Sequence, residues 1–250
     1  MVMAAAKGKE AWLALISAIE EIAPCYDGVN ERISFWQAGR ARRYLARDSR
    51  VLPDMVVADV GVGPGSMSKE ILSRFKPSAL VALDVSRKML ESALRNLSGF
   101  DGTEVLAVRC AFEHLPFRDS VFDRVFASFA LQDSRFKRLA VEEFRRVCKE
   151  GGLLLLANVG KPDNRALRLA MSFYMRFLMP IAAKTAALGK VAGNPWRLLA
   201  KVFQDLPTNS SLKNLVAGIF GEASMKEFMF GGVVAIIARK RAFAARAARP

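Results

Sequence analysis

The 250-residue sequence holds a single histidine, His114, and three cysteines, Cys25, Cys110 and Cys148. One imidazole excludes most zinc sites and any histidine-rich catalysis. Three widely spaced thiols exclude a disulfide framework and carry no metal-ligand pattern. Long apolar runs are also lacking. The most apolar stretch, 165–192, is interrupted by Arg168, Arg176, Pro180 and Lys184. Its longest uncharged run falls far short of the ~20 residues of a membrane span. The run Ala11–Ile19 follows Lys7 and Lys9 but is bracketed by Glu10, Glu20 and Glu21, with no small-residue cleavage site after it. An amphipathic first helix is expected there rather than a signal peptide. Acidic residues are scarce as well: 24 Asp and Glu against 38 Lys and Arg give a formal charge of +14. With 52% hydrophobic residues, the composition is globular and excludes a disordered polycation.

The charge is uneven. Residues 151–250 carry +11 of the +14, and residues 51–150 carry +1. Such an excess points to nucleic acid, an anionic membrane surface or an acidic ligand, or serves solubility alone. Its concentration outside the central hundred residues favours a membrane surface over nucleic acid. The expected location is the cytoplasm, peripheral on the inner face of the membrane.

The length predicts one domain. Short apolar, β-branched runs alternate with helical patterns: strands at Met55–Val60, Ala79–Asp84, Glu104–Arg109, within Val121–Phe129 and at Leu153–Val159. Helices are predicted at Ser66–Phe75, with Ser66 as cap, at Ser86–Leu97 and at Arg138–Cys148, closed by Gly151-Gly152. Strand–helix alternation at this spacing implies an α/β fold with a parallel sheet covered on both faces and ligands at the carboxyl ends of its strands. Residues 1–50 should be helical and 51–160 the ligand-binding core. Residues 163–217 form a helical insertion broken at Pro180, Gly193-Asn194-Pro195 and Pro207. Two last strands lie within 218–241, and 242–250 is a basic tail.

The strongest local signal is Asp59-Val60-Gly61-Val62-Gly63-Pro64-Gly65, between a strand and a helix. Glycines there let the backbone approach a ligand. The G-x-G-x-G spacing differs from the G-x-G-x-x-G of a dinucleotide site, and Asp59 is placed to face an amino group. Asp84 ends the second strand, where a carboxylate accepts from two ribose hydroxyls; the bland alternative is a helix cap. Val85 and Met89 follow it. Cys110-Ala111-Phe112 opens a turn on the same sheet edge, able to present backbone groups to an adenine. S-adenosylmethionine (SAM) fits these parts better than a dinucleotide, and no metal is expected.

The D-x-G-x-G-x-G loop, the acidic strand end and the stretch Ala111–Phe117 with Asp119–Asp123 resemble class I SAM-dependent methyltransferases. The closer resemblance is to the UbiE-type quinone-biosynthesis C-methyltransferases. Tyr26–Ser34, Ser128-Phe129-Ala130-Leu131, Arg146–Gly152 and Gly231–Ala235 carry it, across about residues 24–241. It implies a Rossmann-like sheet of seven strands, mostly parallel with an antiparallel last strand, and SAM contacts at Pro64, Asp84, Cys110, Ala111 and Ser128. Departures from the family pattern are Pro64 for a hydroxyl residue, Cys110 for Asp or Asn, Gln132-Asp133 for Arg-Asn and Asn158 for Glu.

Methyl transfer from a sulfonium is an in-line displacement governed by positioning and desolvation. Carbon methylation of a hydroquinone also needs a base. Asp133, just beyond the fourth strand, is the first candidate and His114 the second. Tyr26 is expected at the methionine end of the cofactor. The insertion reads as a lid over an apolar pocket for a lipid-soluble acceptor such as a prenylated quinol. Its Arg165, Arg168, Arg176, Lys184, Lys190, Arg197 and Lys201 would face anionic head groups. Phospholipid N-methylation, other small-molecule N- or O-methylation, RNA methylation and SAM binding without catalysis are the alternatives.

Overall fold

The computed structural model describes residue 20 and residues 25–134, 136–187 and 197–241. The first helix, the Gly193-Asn194-Pro195 break and the tail after Arg241 lie outside these residues. Helices α1 (Tyr26–Ile33) and α2 (Gln37–Asp48) lead into β1 (Val56–Val60), α3 (Ser66–Leu72), β2 (Ala79–Asp84), α4 (Arg87–Leu97), β3 (Glu104–Arg109) and β4 (Phe122–Ser128). A 3-10 turn, Leu131–Asp133, precedes α5 (Lys137–Val147) and β5 (Cys148–Val159). Then come α6 (Arg165–Phe173), a π-helical turn (Tyr174–Leu178), α7 (Met179–Ala186), α8 (Arg197–Asp205), α9 (Asn209–Phe220), β6 (Gly221–Phe228) and β7 (Val233–Lys240).

The seven strands form one sheet in the order β3-β2-β1-β4-β5-β7-β6. Strands β1 to β5 are parallel, and β7 runs antiparallel between β5 and β6. The chain order reverses between β1 and β4, so their carboxyl ends open a crevice where ligands bind in such sheets. The expected mostly parallel seven-stranded sheet with an antiparallel last strand is present.

Burial follows position in the sheet. One face is sealed by Ala140, Val141 and Phe144 of α5 with Leu212, Val216 and Phe220 of α9. The other is sealed by Ala41 and Leu45 of α2, Met67 and Ile71 of α3, and Leu90 and Ala93 of α4. The central strands are buried on both faces, as parallel strands must be. Strands β3 and β6 alternate between partial and full exposure. They are the two edges, each with a single neighbour.

Four expectations need correction. Ser66 does not cap α3: Gly65 occupies that position in a left-handed conformation, and the Ser66 hydroxyl donates to Asp27 instead. Cys148 opens β5 rather than closing the preceding helix, because its extended backbone pairs with Phe122. Pro180 does not break the insertion. The π turn bonds Met179 N–H to the Tyr174 carbonyl five residues back, which shifts the hydrogen-bond frame just before a residue that cannot donate. The result is one 22-residue rod, Arg165–Ala186, long and apolar enough by length and composition to cross a membrane. Finally, α9 is not lid but core, so the segment lying outside the two main cores narrows to about 165–206. That segment has its own apolar cluster of Met171, Met175, Met179, Ala183, Phe203 and Leu206, packed on Val29 and Ile33 of α1.

Candidate active site

The glycine loop turns sharply at the end of β1. Gly61 N–H and Val62 N–H both donate to the Leu83 carbonyl, at 2.7 and 2.9 Å, tying the loop to the end of β2. Gly61 has φ +69°, and a Cβ there would collide with Ala130 and come within 3.1 Å of the Phe112 ring. A side chain is thus excluded on conformational and steric grounds. At Gly63, by contrast, a Cβ would meet nothing within 4 Å. Pro64 is buried and its carbonyl accepts from Asn96 Nδ2 at 2.8 Å. It braces the loop against α4.

Asp59 is fully buried under this loop. Its Oδ2 accepts from Ser68 Oγ at 2.6 Å, and its Oδ1 has no hydrogen-bond partner. Burial pushes its carboxyl up to about 6. A buried oxygen without a partner is expensive, and an ammonium group is the partner that would satisfy it best. Asp84 is tied down at both oxygens, one to Gly63 N–H and one to Ser86 N–H, each at 2.9 Å. The capping alternative for Asp84 fails, since Ser86 caps α4 by accepting from Met89 N–H. Burial raises the Asp84 carboxyl, opposed by its backbone donors. Carboxylate oxygens keep further lone pairs for ribose hydroxyls. Val85 is partly buried with its carbonyl bound by Arg109, and Met89 is buried.

On the adenine side, Cys110 N–H donates to the Asp84 carbonyl. Its half-buried thiol is pushed up to about 11 by burial and by Asp84, so it stays protonated. Ala111 and Phe112 are partly buried beside it. Arg146 clamps the turn that follows, donating to the Leu115 and Phe117 carbonyls at 2.9 and 2.7 Å while paired with Glu143 and Asp119. This explains why an Arg-Val-x-Lys stretch accompanies such a turn. Lys149 likewise pairs with Asp123, which also accepts from Val56 N–H at the start of β1.

Sequence reasoning missed Arg42. It is a buried guanidinium on α2 that donates to Ser128 Oγ at 3.3 Å, pairs with Glu31 at 2.9 Å and lies 5.3 Å from the Phe129 ring centre. Its charge opposes the upward shifts of both Asp59 and Tyr26. A buried arginine near a free carboxylate oxygen and an aromatic ring is equipped to take a carboxylate. No spacing rule links residue 42 to residue 128, so only the fold brings them together. Glu20 was also missed. It accepts from Ser86 Oγ at 2.7 Å and closes the outer side of the Asp84 site.

These residues fit SAM. Asp59 and Arg42 suit the ammonium and carboxylate of the methionine end, Ser128 lies beside Arg42, and Asp84 suits the ribose. The open flank of Gly63 leaves room for the chain between them.

The opposite wall differs. Asp133 sits in the 3-10 turn after β4. Burial pushes its carboxyl up to about 7, with Lys137 pulling it down and Asp84 adding to the rise. Burial raises the Tyr26 phenol strongly, and the Asp133 charge contributes next. Asp133 is thus one of the charges acting on Tyr26, together with Arg42 and Asp27. Asn158, at the end of β5, is buried with Oδ1 lacking a partner. Met171, Met175 and Met179 of the lid share an apolar cluster with Tyr26. His114 is exposed on its turn. The structure does not bring it to Asp133 and Tyr26.

The model described as the ubiE/COQ5 methyltransferase family matches residues 7–240. The chain belongs to that family. A demethylmenaquinone methyltransferase of Desulfitobacterium hafniense is 25% identical over 94% of this chain and 92% of its own length. The ubiquinone/menaquinone biosynthesis C-methyltransferase UbiE of Ectopseudomonas mendocina is 30% identical over 86% and 84%. Among solved structures, a SAM-dependent methyltransferase from Thermotoga maritima superposes with a TM-score of 0.58 at 17% identity, covering 91% of this chain and all of its own. The [4+2]-cyclase SpnF scores 0.61 at 16% identity, covering 89% and 93%. These two show the fold alone, and the second shows that the fold also serves other chemistry. Family membership makes this family member a SAM-dependent methyltransferase.

Proposed function

We propose that the protein methylates a ring carbon of a prenylated quinol. The observation that carries this reading is the Asp133 carboxyl, raised to about 7 by burial, whose charge acts on Tyr26, a residue packed on the methionine-lined lid. The names of the UbiE-type relatives support the quinone class.

SAM, when bound, supplies a methyl group on a positively charged sulfur and leaves as a neutral thioether. The chain's own residues supply the rest. Asp133, ionised above about pH 7, accepts the phenolic proton of the quinol, which puts electron density on the ring carbon beside that oxygen. Tyr26 and Asn158 orient the ring by hydrogen bonding. The carbon–methyl bond forms as the methyl–sulfur bond breaks; the ring carbon then gives up its proton to restore aromaticity, the oxygen regains the proton held by Asp133, and one proton is released per turnover. Met171, Met175 and Met179 exclude water and adapt in shape to an isoprenoid chain. Arg42 and Asp59 hold the methionine end, and Asp84 the ribose.

The test is an assay of the purified protein with SAM and a chemically reduced, prenylated hydroquinone lacking one ring methyl. The expected product is heavier by one CH2 unit and shows by NMR a new methyl bonded to a ring carbon rather than to oxygen. Methylation of phosphatidylethanolamine instead, or of RNA, overturns the reading.

A further inference from the structure

The rod Arg165–Ala186 is apolar on two opposite faces. Met171, Met175, Met179 and Ala183 recur every four residues and are buried against α1 and α8. Leu169, Phe173, Phe177 and Ile181 recur with the same period, two residues out of step, and half or more of each is exposed. Positions four apart stack along a helix, and positions two apart face opposite ways. A helix on a globular surface carries polar residues on its outer face; this one carries a leucine, two phenylalanines and an isoleucine. Only 28% of its most apolar window is buried.

A second element joins that face. At the corner between α1 and α2, Phe35 and Trp36 adopt left-handed backbone angles, φ +50° and +59°. Bulky residues hold that conformation only where surrounding contacts fix it. Here the contacts lead to the rod: Tyr174 Oη donates to the Ile33 carbonyl at 2.6 Å, and its ring lies 5.8 Å from that of Phe35. The corner leaves Trp36 61% exposed, and on the rod Phe173 is 56% exposed, its ring 5.1 Å from that of Phe177.

The surroundings are cationic. Residues 164–204 contain no aspartate or glutamate. Among the described residues, Arg40, Arg43, Arg176 and Lys184 have no carboxylate at salt-bridge distance. On α2, Arg40, Arg43 and Arg47 line a cleft of about 550 Å³ with Arg74 and Lys226, and Glu227 is its one acidic residue.

We propose that Trp36, Phe173 and Phe177 form a wedge that docks the protein on an anionic lipid bilayer, with the arginines of α2 and the rod against the head groups. Aromatic side chains inside a basic rim match the interfacial layer of such a membrane. A second copy of the chain is a poor occupant, since a two-fold contact would bring the cationic rims together. A polynucleotide would leave the apolar stripe wet. The choice of a membrane rests on the reading of a lipid-soluble acceptor. The two nonetheless fail separately, because vesicle binding requires no acceptor and turnover can be followed in detergent.

The test is flotation with phosphatidylcholine vesicles, with and without about one third phosphatidylglycerol. The full chain should float with the anionic vesicles, less so as salt rises. Trp36→Ser/Phe173→Ser/Phe177→Ser should lower vesicle affinity about tenfold or more while leaving SAM affinity within about twofold. In the chain carrying Trp12→Phe/Trp196→Phe, the remaining Trp36 should be quenched by brominated lipid. Absence of vesicle binding by the full chain, binding undiminished in the triple variant, or unquenched Trp36 overturns the proposal. So does a dimer in sedimentation that the triple variant dissociates.

Discussion

The two walls of the crevice are built on different principles. The cofactor wall is made of fixed backbone and polar groups: glycines at positive φ, Asp84 held at both oxygens, Asp59 and Arg42 buried as charges. The acceptor wall is made of methionines and aromatic rings with few polar groups, chiefly Asp133, Tyr26 and Asn158. The first suits one invariant ligand, recognised atom by atom. The second suits a flexible apolar one, recognised by desolvation and shape. If this division is right, substitutions on one wall should change turnover without affecting cofactor affinity, and substitutions on the other should do the reverse.

The largest effect is expected on the acceptor wall. Asp133→Asn removes the proposed base and should lower kcat by about 10²–10³-fold, with SAM affinity by calorimetry unchanged. The wild-type rate should rise with pH through about 7, as the carboxylate forms, and the variant should lose that limb. Loss of SAM affinity in Asp133→Asn would erase the separation between the walls. On the cofactor wall, Asp84→Ala removes acceptors from buried hydroxyls and from Gly63 N–H. It should weaken SAM by about 2–3 kcal/mol, or roughly 30- to 150-fold. Unchanged affinity would reduce Asp84 to a brace for the loop.

How legible each wall was in the sequence follows the same division. The loop Asp59–Gly65 and the strand-end Asp84 announce themselves locally, because a tight turn after a strand requires glycine and a ribose site requires an acid at a set distance. Arg42 did not, because its partners Glu31 and Ser128 meet only once α2 lies across the sheet. Counting charge in blocks of fifty also hid the basic face of α2, where Arg40, Arg43 and Arg47 are offset by Asp27, Glu31 and the amino-terminal glutamates. On the acceptor wall, the apolar stretch 171–179 was visible as apolar on several faces. Its division into a buried stripe and an exposed one depends on which side α1 occupies, and no local pattern encodes that. Asp133 stands out in the sequence by its place after the fourth strand, and the structure buries it in the turn there. His114 was misleading because rarity draws attention to a residue that packing then leaves on the surface.

A smaller and two-sided effect is expected at Asp59. In the folded chain its carboxyl keeps its proton up to about pH 6, whereas an unfolded aspartate releases it near ~3.9. The folded state therefore binds that proton more tightly, and stability declines as pH rises from about 4 through 6. Asp59→Asn removes the buried charge. Without SAM, it should be more stable than wild type at pH 7, on the order of 1–2 kcal/mol, and similar near pH 4. SAM affinity should fall about tenfold as the ammonium loses its counter-charge. Thermal melts at the two pH values, with and without SAM, separate these effects. A variant less stable at pH 7 would mean that the Ser68 hydrogen bond outweighs the burial of charge.

The smallest effect concerns the rod. A proline inside a regular helix costs about 3 kcal/mol by removing a donor and crowding the preceding turn. If the turn Tyr174–Leu178 were ordinary α-helix, Pro180→Ala would recover most of that. In the π arrangement, Met179 bonds back to Tyr174, so the frame already accommodates Pro180 at the start of α7. The substitution then gains little, and the freer unfolded chain offsets part of it. Pro180→Ala should shift stability by less than about 1 kcal/mol in urea titrations. A gain well above that would mean that the proline strains the rod. The two faces, buried methionine and exposed phenylalanine, would then be held in register by the packing of α1 alone rather than by the helix itself.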